Sequence, residues 1–404
     1  MNILLINHYA GSPDMGMEFR PYYLSKEWVK MGHKVTIIAA DFSHLRLSNP
    51  VINYDLQTEV VDHIEYVWIK TDKYLGNGIK RALGMFQFVG KIWLNADKIV
   101  EKYKPNVVIA SSTYPLDTYP AQKIAKLSNA KYIHEVHDMW PITLIEIGKM
   151  SKLHPFVMLI QMAEDSFCKN SDYVVSLPCA AKDYFIQHGM KPEKFISIVN
   201  GIVKEEWVNS EYLPDLHQEL LNQLHKEGKF IVCFFGSITK SYAIDYLLEA
   251  VKQINNPQIA VVIVGEGIQK QELLQQTQIR SDVFFLPKIS KKAIPTLMKY
   301  IDCCYVGGLR NNMFRFGVCM NKLFDSMMSG KPILYAVEAP NNYIKEFSCG
   351  ISVKSESIED LKNGLKQLLQ KSAFEREVMG RNGRNAVLEH FTYEKLAKQY
   401  AELF

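Results

Sequence analysis

A lysine and an aspartate in the segment at residues 314–334 are the strongest candidates for binding a ligand. The sequence of this segment is FRFGVCMNKLFDSMMSGKPIL, in which Lys322 and Asp325 stand near the predicted start of a helix at Asn321. The free N–H groups of a helix start, with a lysine beside them, favour an anion such as a diphosphate. The Asp325 carboxylate could accept the paired hydroxyls of a ribose. An equally open interpretation is a solvated lysine and an acidic residue that merely favours the helix dipole.

A second candidate lies near the N-terminus, where a loop containing glycine precedes a predicted helix at 19–31. Four residues separate Gly11 from Gly16, which is not the Gly-x-Gly-x-x-Gly spacing of a dinucleotide site. Because glycine lets a ligand approach the backbone closely, Gly16 is a candidate for ligand contact. Glu18 and Arg20 are candidates for holding hydroxyl groups. A plain turn is the alternative.

Polar side chains also follow two predicted strands. His137 and Asp138 stand at the end of KYIHEVH, at the strand end where open parallel sheets place their ligands. Lys240 closes the stretch Gly-Ser-Ile-Thr-Lys, which follows another strand and precedes a helix. We favour a functional role for His137 and Asp138. The alternative is a hydrogen-bonded pair that ties down its loop.

Short apolar runs alternate with helix-length segments around these side chains. Two such runs, 2–7 and 34–40, flank a helix, which is the βαβ pattern of a parallel sheet. The pattern restarts after Asn200-Gly201. Further strands are predicted at 107–111, 131–137, 173–177, 229–236, 259–265, 283–287, 302–307 and 332–337. The fold class is therefore α/β, with two doubly wound halves.

The predicted domains are residues 1–195 and residues 200–385, both Rossmann-like. Ligands of open parallel sheets bind beyond the carboxyl ends of the strands, so the expected active site is a central cleft between two facing domains. Residues 386–404 are expected to form a C-terminal crossover helix that packs back on the first domain.

The composition excludes several classes of protein. A chain of 404 residues is too long for one ordinary core, and a net charge of +4 does not indicate a nucleic-acid partner. The 7 cysteines include no Cys-x-x-Cys pair and lie mostly in apolar runs, as reduced thiols do. With neither a signal peptide nor a membrane-spanning run, the expected location is cytoplasmic, with peripheral contact to the inner face of the plasma membrane as a further possibility.

The chain resembles the family-4 retaining glycosyltransferases, which have the GT-B fold. Asn-Lys-Leu-Phe-Asp followed by Ser-Gly-Lys-Pro is similar to the family's donor-binding signature, in which an acidic residue five positions before a glycine holds the donor ribose. Asp325 falls on that position, and Lys322 falls where a lysine of the family meets the phosphates. Gly317 replaces a glutamate that many members carry eight residues earlier.

Further blocks extend the resemblance over nearly the whole chain. HEVHDMWP at 134–141 resembles a block of the branch that builds bacterial surface polysaccharides, in particular N-acetyl-fucosamine transferases. The resemblance implies acceptor contacts for Glu18 and Arg20. It implies catalytic roles for His137, Asp138 and Lys322, and a donor site formed by Gly16, Lys240, Arg315, Asn321, Lys322 and Asp325.

Two cations that the family places on the donor diphosphate are missing, since Ser237 and Tyr242 stand at their positions. Lys240 and Arg315 are expected to substitute for them. The implied reaction moves a sugar from a UDP-linked donor to an undecaprenyl-diphosphate-linked saccharide of O-antigen or capsule. No cofactor or metal is expected, because no Asp-x-Asp motif is evident.

Other interpretations remain open. The segment 70–104 is basic and amphipathic, which suits either contact with an anionic membrane or a core-packed helix with a solvated face. A UDP-sugar epimerase of the same fold would bind the donor without an acceptor. A catalytically inactive nucleotide-binding module would explain the missing polar residues as decay.

Overall fold

The computed structural model describes residues 1–16, 19–76 and 78–404, with the side chain of Phe19 left out. The chain divides into two compact units. The first contains Met1–Asn200, Phe316–Val318 and Tyr393–Phe404, and the second contains Gly201–Arg315 and Cys319–Thr392. Each unit is built on one sheet of mainly parallel strands, as the α/β pattern predicts.

The first unit is organised around an eight-stranded sheet. Its strands are β1 Asn2–Ile6, β2 Lys34–Ala40, β3 Gln57–Val61, β4 Ile64–Ile69, β5 Val107–Ala110, β6 Lys131–Val136, β7 Tyr173–Ser176 and β8 Phe195–Ser197. Their order is β3-β4-β2-β1-β5-β6-β7-β8, and only the β3–β4 pair is antiparallel. All residues of β5 are buried, because a central parallel strand is covered on both faces.

The α-helices of the first unit that the structure describes before residue 190 connect these strands or flank them. They are α1 Phe19–Lys30, α2 Ile79–Leu94, α3 Ala96–Tyr103, α4 Thr118–Ser128, α5 Ile142–Glu146, α6 Pro155–Asn170 and α7 Lys182–Gln187. The buried sides of α2 and α4 pack on the sheet through Phe88, Ile92 and Ile124. This packing leaves the polar residues after β5 and β6 at the carboxyl edge of the sheet.

The second unit is organised around a six-stranded sheet whose strands all run parallel. The strands are β9 Phe230–Phe235, β10 Ile259–Val264, β11 Val283–Leu286, β12 Cys303–Gly307, β13 Ile333–Ala336 and β14 Gly350–Ser352. Their order is β11-β10-β9-β12-β13-β14. Every residue of β9 and β10 is buried, as expected of continuous apolar runs at the centre of a sheet.

The helices of the second unit connect these strands. They are α8 Lys204–Val208, α9 Asp215–Lys226, α10 Ile244–Ile254, α11 Lys270–Thr277, α12 Ile294–Met298, α13 Asn321–Met328, α14 Tyr343–Glu346, α15 Ile358–Gln370 and α16 Ala373–His390. The Ser372 hydroxyl and the Glu375 carboxylate form a capping box that begins α16. The cysteines of the described chain are all free thiols.

The last helix, α17 (Tyr393–Ala401), returns to the first unit. It packs on α1, where the Trp28 ring lies 5.2 Å from the Tyr400 ring and donates a hydrogen bond to the Ala397 carbonyl. The return begins at Tyr393 and not at residue 386, because α16 continues to His390 within the second unit. The short segment Phe316–Val318, which also belongs to the first unit, was not predicted.

Candidate functional site

In the second unit, the turn after β9, the following turn at 240–242 and the start of α13 surround the side chain of Lys322. Its Nζ lies 3.2 Å from the centre of the Tyr242 ring and 4.1 Å from the centre of the Phe234 ring. The nitrogen is buried and meets no hydrogen-bond acceptor within the described chain. Burial lowers the pKa of Lys322 to about 7.

The interpretation of Lys322 as a solvated surface lysine is therefore wrong. An ammonium taken out of water without a carboxylate partner is costly, and the two aromatic faces offset only part of that cost. The ammonium has three N–H donors, and Lys322 itself belongs to the first turn of α13, whose backbone N–H groups also favour negative charge. The arrangement can bind the oxygens of an anion.

Glycines at the ends of β9 and β10 shape this site. Gly236 has a φ of +120°, and a Cβ there would lie 3.2 Å from the Lys322 Nζ. A Cβ on Gly265, which has a φ of +153°, would lie 1.9 Å from the Gly236 carbonyl oxygen. Gly267 is equally constrained, since its Cβ would lie 2.1 Å from the Ile238 carbonyl oxygen. Only glycine at positions 265 and 267 fits these close backbone contacts. The turn beside Lys322 presents only backbone at Gly236.

Asp325 lies on α13 one turn after Lys322 and is only 6% exposed. Burial raises the pKa of its carboxyl group to about 6, and the positive charge of Lys291 partly opposes this shift. No described side chain donates a hydrogen bond to it. The carboxylate thus has the acceptor capacity that the predicted ribose contact requires, although the contact itself stays a prediction.

The other predicted donor residues of this unit are exposed. Lys240 lies in the turn at 240–242 after β9, and Asn321 is the first residue of α13. Arg315 donates a hydrogen bond to the Asn312 carbonyl at 2.6 Å. Gly317 has a φ of +99°, a conformation in which a glutamate would be strained, so the backbone explains the missing acidic residue.

In the first unit, His137 belongs to a buried polar cluster at the ends of β5 and β6. Its Nε2 lies 3.1 Å from the Glu135 Oε2 and 2.9 Å from the Ser111 Oγ. Burial alone would raise the pKa of Glu135, but the Arg20 charge and the hydrogen bonds from His137 and Ser111 hold it well below its usual range. An ionised Glu135 therefore orients the His137 ring.

Arg20 is placed differently from the sequence prediction. Its guanidinium is 4% exposed and pairs with the fully buried Glu135 at 2.9 Å. It also donates to the backbone carbonyls of Ile198 and Val199 at 2.8 and 2.6 Å. The predicted contact with acceptor hydroxyls is not supported, because these bonds engage the guanidinium inside the unit and make Arg20 a positioning residue for Glu135.

The remaining predicted residues of the first unit occupy distinct positions. Asp138 is exposed directly after β6, beside His137. Gly16 has a φ of +83° and caps a short turn, and a Cβ there would meet the Leu47 side chain at 2.7 Å. This turn geometry alone accounts for a glycine at position 16. Glu18 lies outside the described residues.

Sequence reasoning missed Asp117, which is fully buried near this cluster. Its Oδ2 accepts a hydrogen bond from the Ser112 N–H at 2.9 Å, while its Oδ1 finds no partner in the described part of the chain. Burial raises its pKa to about 7, against the opposing hydrogen bonds from Ser112 and the charge of His137. The polar run directly after β5 was the signal that could have identified it.

A further cluster in the first unit has the composition of a metal site. Glu164, Asp165 and His188 place one ligand atom each within 4.8 Å of one another. The Gln161 amide nitrogen, however, lies between them, at 2.8 Å from Glu164 and 2.9 Å from both Asp165 and His188. The cluster is thus an internally satisfied hydrogen-bond network, which a metal ion could enter only by displacing the amide.

Comparison with known proteins matches both units. Residues 15–206 match the family described as Glycosyltransferase Family 4, and residues 218–386 match Glycosyl transferases group 1. The protein MJ1069 of Methanocaldococcus jannaschii, named a glycosyltransferase, is 22% identical over 242 residues. The Escherichia coli K12 protein WcaI, named as a glycosyl transferase of colanic acid biosynthesis, is 26% identical over 282 residues.

The similarity to these relatives is partial, whereas the similarity of fold extends over the chain. The matches cover 58% of this chain and 59% of MJ1069, and 66% of this chain and 67% of WcaI. The crystal structure of Anabaena Alr3699/HepE in complex with UDP has a TM-score of 0.70 and 17% identity, covering 100% of this chain and 99% of that one.

Proposed function

Since both units match glycosyltransferase families, the chain belongs to the glycosyltransferases of the GT-B type, and we propose that it transfers a sugar from a nucleoside-diphosphate donor. We propose UDP as the nucleotide and a lipid-linked saccharide of a surface polysaccharide as the acceptor. The resemblance of residues 134–141 favours N-acetyl-fucosamine as the sugar, and the resemblance of residues 314–334 to the family-4 retaining glycosyltransferases favours retention of its configuration.

The buried, unpaired ammonium of Lys322 is the observation that carries this proposal. In the departure of a sugar from a nucleoside diphosphate, negative charge develops on the leaving diphosphate. A fixed cation and a helix start aimed at that charge stabilise the transition state more than the ground state. We assign this role to Lys322 and the first turn of α13, with Lys240, Asn321 and Arg315 as further donors at its exposed side.

The nucleoside would be held by Asp325, whose carboxylate suits the two hydroxyls of a ribose. The UDP bound to Alr3699/HepE, which shares the fold, supports UDP as the first nucleotide to test. WcaI, named for colanic acid biosynthesis, supports a surface polysaccharide as the product. His137 and Asp138 would act on the sugar or the acceptor, with Glu135 orienting the imidazole.

The test is a transfer assay with purified protein, UDP-, GDP- and TDP-sugars, and a lipid-linked acceptor extracted from bacterial membranes. Transfer predicts release of nucleoside diphosphate that depends on the acceptor, and Lys322→Met should abolish it. The exposed Lys226 on α9 gives the matched control, Lys226→Met, which should keep full activity.

Each competing function predicts a different result in the same assay. An epimerase would convert the donor sugar without any acceptor. An inactive module would bind a nucleotide but yield neither product nor hydrolysis above background. Full activity in Lys322→Met would refute the assignment of the diphosphate to this residue.

We also propose that the first unit contacts an anionic membrane through adjacent faces of α2 and α6. Leu83 and Phe86 on α2 are 52% and 41% exposed, and Met158 and Met162 on α6 are 50% and 61% exposed. The Phe86 ring lies 6.4 Å from the ring of Phe156 on α6, so the two faces adjoin. Among the residues that the structure describes, no helix combines the length and apolar character needed to cross a bilayer.

The basic residues near these faces contribute unequally. Lys80 and Lys152 are exposed, as a contact with anionic lipid requires. Lys91 instead forms an ion pair with Asp55 at 3.0 Å and does not extend the basic surface. Leu83→Ser combined with Met158→Ser should reduce sedimentation with liposomes that contain phosphatidylglycerol. Leu216→Ser, at a 58% exposed site of the second unit, is the control, and equal binding by both variants would contradict the proposal.

A further inference from the structure

The ring of Tyr242 contacts the ammonium group that the proposed function assigns to the donor diphosphate. Its centre is 3.2 Å from the Lys322 Nζ, closer than the 4.1 Å of the second ring, Phe234. Ring centres of Phe234 and Tyr242 are 5.6 Å apart at an interplanar angle of 52°, so the two rings form two walls of one aromatic pocket. On the side of the Gly236 turn, a Cβ built on Gly236 would meet, among the described residues, only the Nζ and Cε of Lys322 within 4 Å.

We propose that Tyr242 is a positioning residue for sugar transfer, whose ring holds the Lys322 ammonium toward the Gly236 turn, where the donor diphosphate binds. This inference rests on the proposed function, because it presupposes that Lys322 meets a diphosphate.

The backbone fixes Tyr242 in this place. Tyr242 ends a short turn, and its N–H donates to the Thr239 carbonyl at 3.1 Å. The next residue, Ala243, has a φ of +51°, and its carbonyl accepts a hydrogen bond at 2.9 Å from the buried hydroxyl of Tyr305. The Leu309 N–H donates to the Ser241 carbonyl at 2.9 Å. The last two bonds connect the turn to β12 and to the loop that follows it. The backbone that carries the Tyr242 ring is therefore held in place by hydrogen bonds.

The chemistry of an aromatic ring suits this position better than that of a charged side chain. A second cation at 242 would repel the Lys322 ammonium across a buried contact. A carboxylate would neutralise the ammonium and compete with the diphosphate for it. The negative face of a ring stabilises the cation without supplying an anion, and leaves its N–H donors available. The chain thus has a ring at a position where the family resemblance expects a cation.

This contact has a consequence for the pH dependence of nucleotide binding. The Tyr242 ring that contacts Lys322 carries a phenol whose pKa burial raises, and Asp325, with a carboxyl pKa that burial also raises, lies three residues further along the same helix. Because burial lowers the pKa of Lys322 to about 7, the charged form is the main one at pH 6 and the minor one at pH 8. Loss of the ring removes stabilisation of the charged form, so its pKa falls further.

The test is the dissociation constant of UDP, GDP or TDP, whichever stabilises the wild type most, measured by calorimetry at pH 6 and pH 8. If the ring contributes about one pKa unit, Tyr242→Leu weakens binding about tenfold at pH 8 but only about twofold at pH 6. At each pH the dissociation constant of the variant is divided by that of the wild type, because this ratio cancels the effect of the nucleotide's own ionisation. Tyr242→Phe keeps the ring, so its dissociation constants at pH 6 and pH 8 should differ by the same factor as those of the wild type.

Two controls separate positioning from a loss of structure. Tyr246→Leu changes another partly buried tyrosine that packs on the same core, and should leave binding unchanged. Tyr242→Met replaces the ring with a flexible chain and should repeat the pH-dependent loss if Tyr242→Leu folds poorly. Lys322→Arg stays charged at both pH values, so the part of the pH dependence of nucleotide binding that comes from residue 322 should disappear.

The outcomes of this test distinguish the two proposals. An equal loss at both pH values, no loss, or the same loss in Tyr246→Leu overturns the role of Tyr242 while leaving the donor site in place. Failure of the wild type to bind any of the three nucleotides refutes the proposed function, and the role of Tyr242 fails with it.

Discussion

Replacement of Arg20 separates the structural role that its contacts define from the acceptor role that its sequence position suggested. Arg20→Met leaves the carboxylate of Glu135 fully buried, with Ser111 and His137 as its remaining side-chain partners. Breaking a buried ion pair on one side costs about 3–5 kcal/mol, since the other charge remains uncompensated. For a unit of roughly 200 residues this lowers the unfolding temperature by about 6–20 °C.

The pH dependence of this loss follows from the pKa of Glu135. In the wild type the pKa is held well below its usual range, so the stabilisation is present above the unfolded value of about 4.3 and is lost only as the pH falls below it. In Arg20→Met burial is no longer offset by the guanidinium and the pKa rises. The variant can then protonate Glu135 at pH 5, where the loss of stability should be smaller than at pH 7.5.

The assay is urea unfolding at both pH values, followed by tryptophan fluorescence and circular dichroism. Arg20→Met/Glu135→Leu is the matched control and should recover much of the loss, because it removes the uncompensated charge together with its partner. A single variant within about 1 kcal/mol of the wild type at pH 7.5 would show that the ion pair does not hold this unit together. Arg20 would then again be a candidate for acceptor binding.

Two further substitutions probe the second unit. Gly265→Ala should lower the free energy of unfolding, measured in urea, by more than about 3 kcal/mol and abolish UDP binding, because the added Cβ would meet the Gly236 carbonyl oxygen at 1.9 Å. Gly228→Ala is the control. Its φ is +67° but the space around it is open, so it should cost only about 1–2 kcal/mol. Asp325→Asn should weaken UDP binding yet stabilise the fold by up to about 3 kcal/mol at pH 8, because burial raises the Asp325 pKa to about 6 from an unfolded value of about 3.9. The gain should vanish near pH 4, where both proteins are neutral at this site; a variant equally stable at pH 8 would refute the burial of the charge.

Much of the fold was predictable because buried parallel strands are continuous apolar runs. The predicted strand at 34–40 coincides with β2, and both sheets were predicted with most of their strands. The hairpin of β3 and β4 was missed, since β3 is an edge strand with three successive exposed residues and lacks such a run. The sequence also did not predict that Phe316–Val318 belongs to the first unit. That placement depends on contacts with residues far away in the sequence, such as the hydrogen bond from the Ala180 N–H to the Phe316 carbonyl.

The candidate site was predictable where its residues share one helix, and not where they meet across the chain. The spacing of Lys322 and Asp325 placed both near the start of α13. The rings of Phe234 and Tyr242, which bury the ammonium, come from an earlier strand and turn, so no local pattern linked them to Lys322. Arg20 was misassigned for the same reason, because its partner Glu135 lies 115 residues away.

Ligand-dependent thermal stability measures whether Lys322 binds the diphosphate of a nucleotide donor. UDP at about 100 times its dissociation constant should stabilise the wild type by about 2.7 kcal/mol, which raises the unfolding temperature by several degrees. Uridine, which lacks the diphosphate, should produce a much smaller shift, and Lys322→Met should lose most of the shift with UDP. Binding of the diphosphate by Lys322 is refuted if UDP, GDP and TDP all fail to stabilise the wild type, or if UDP stabilises Lys322→Met equally well.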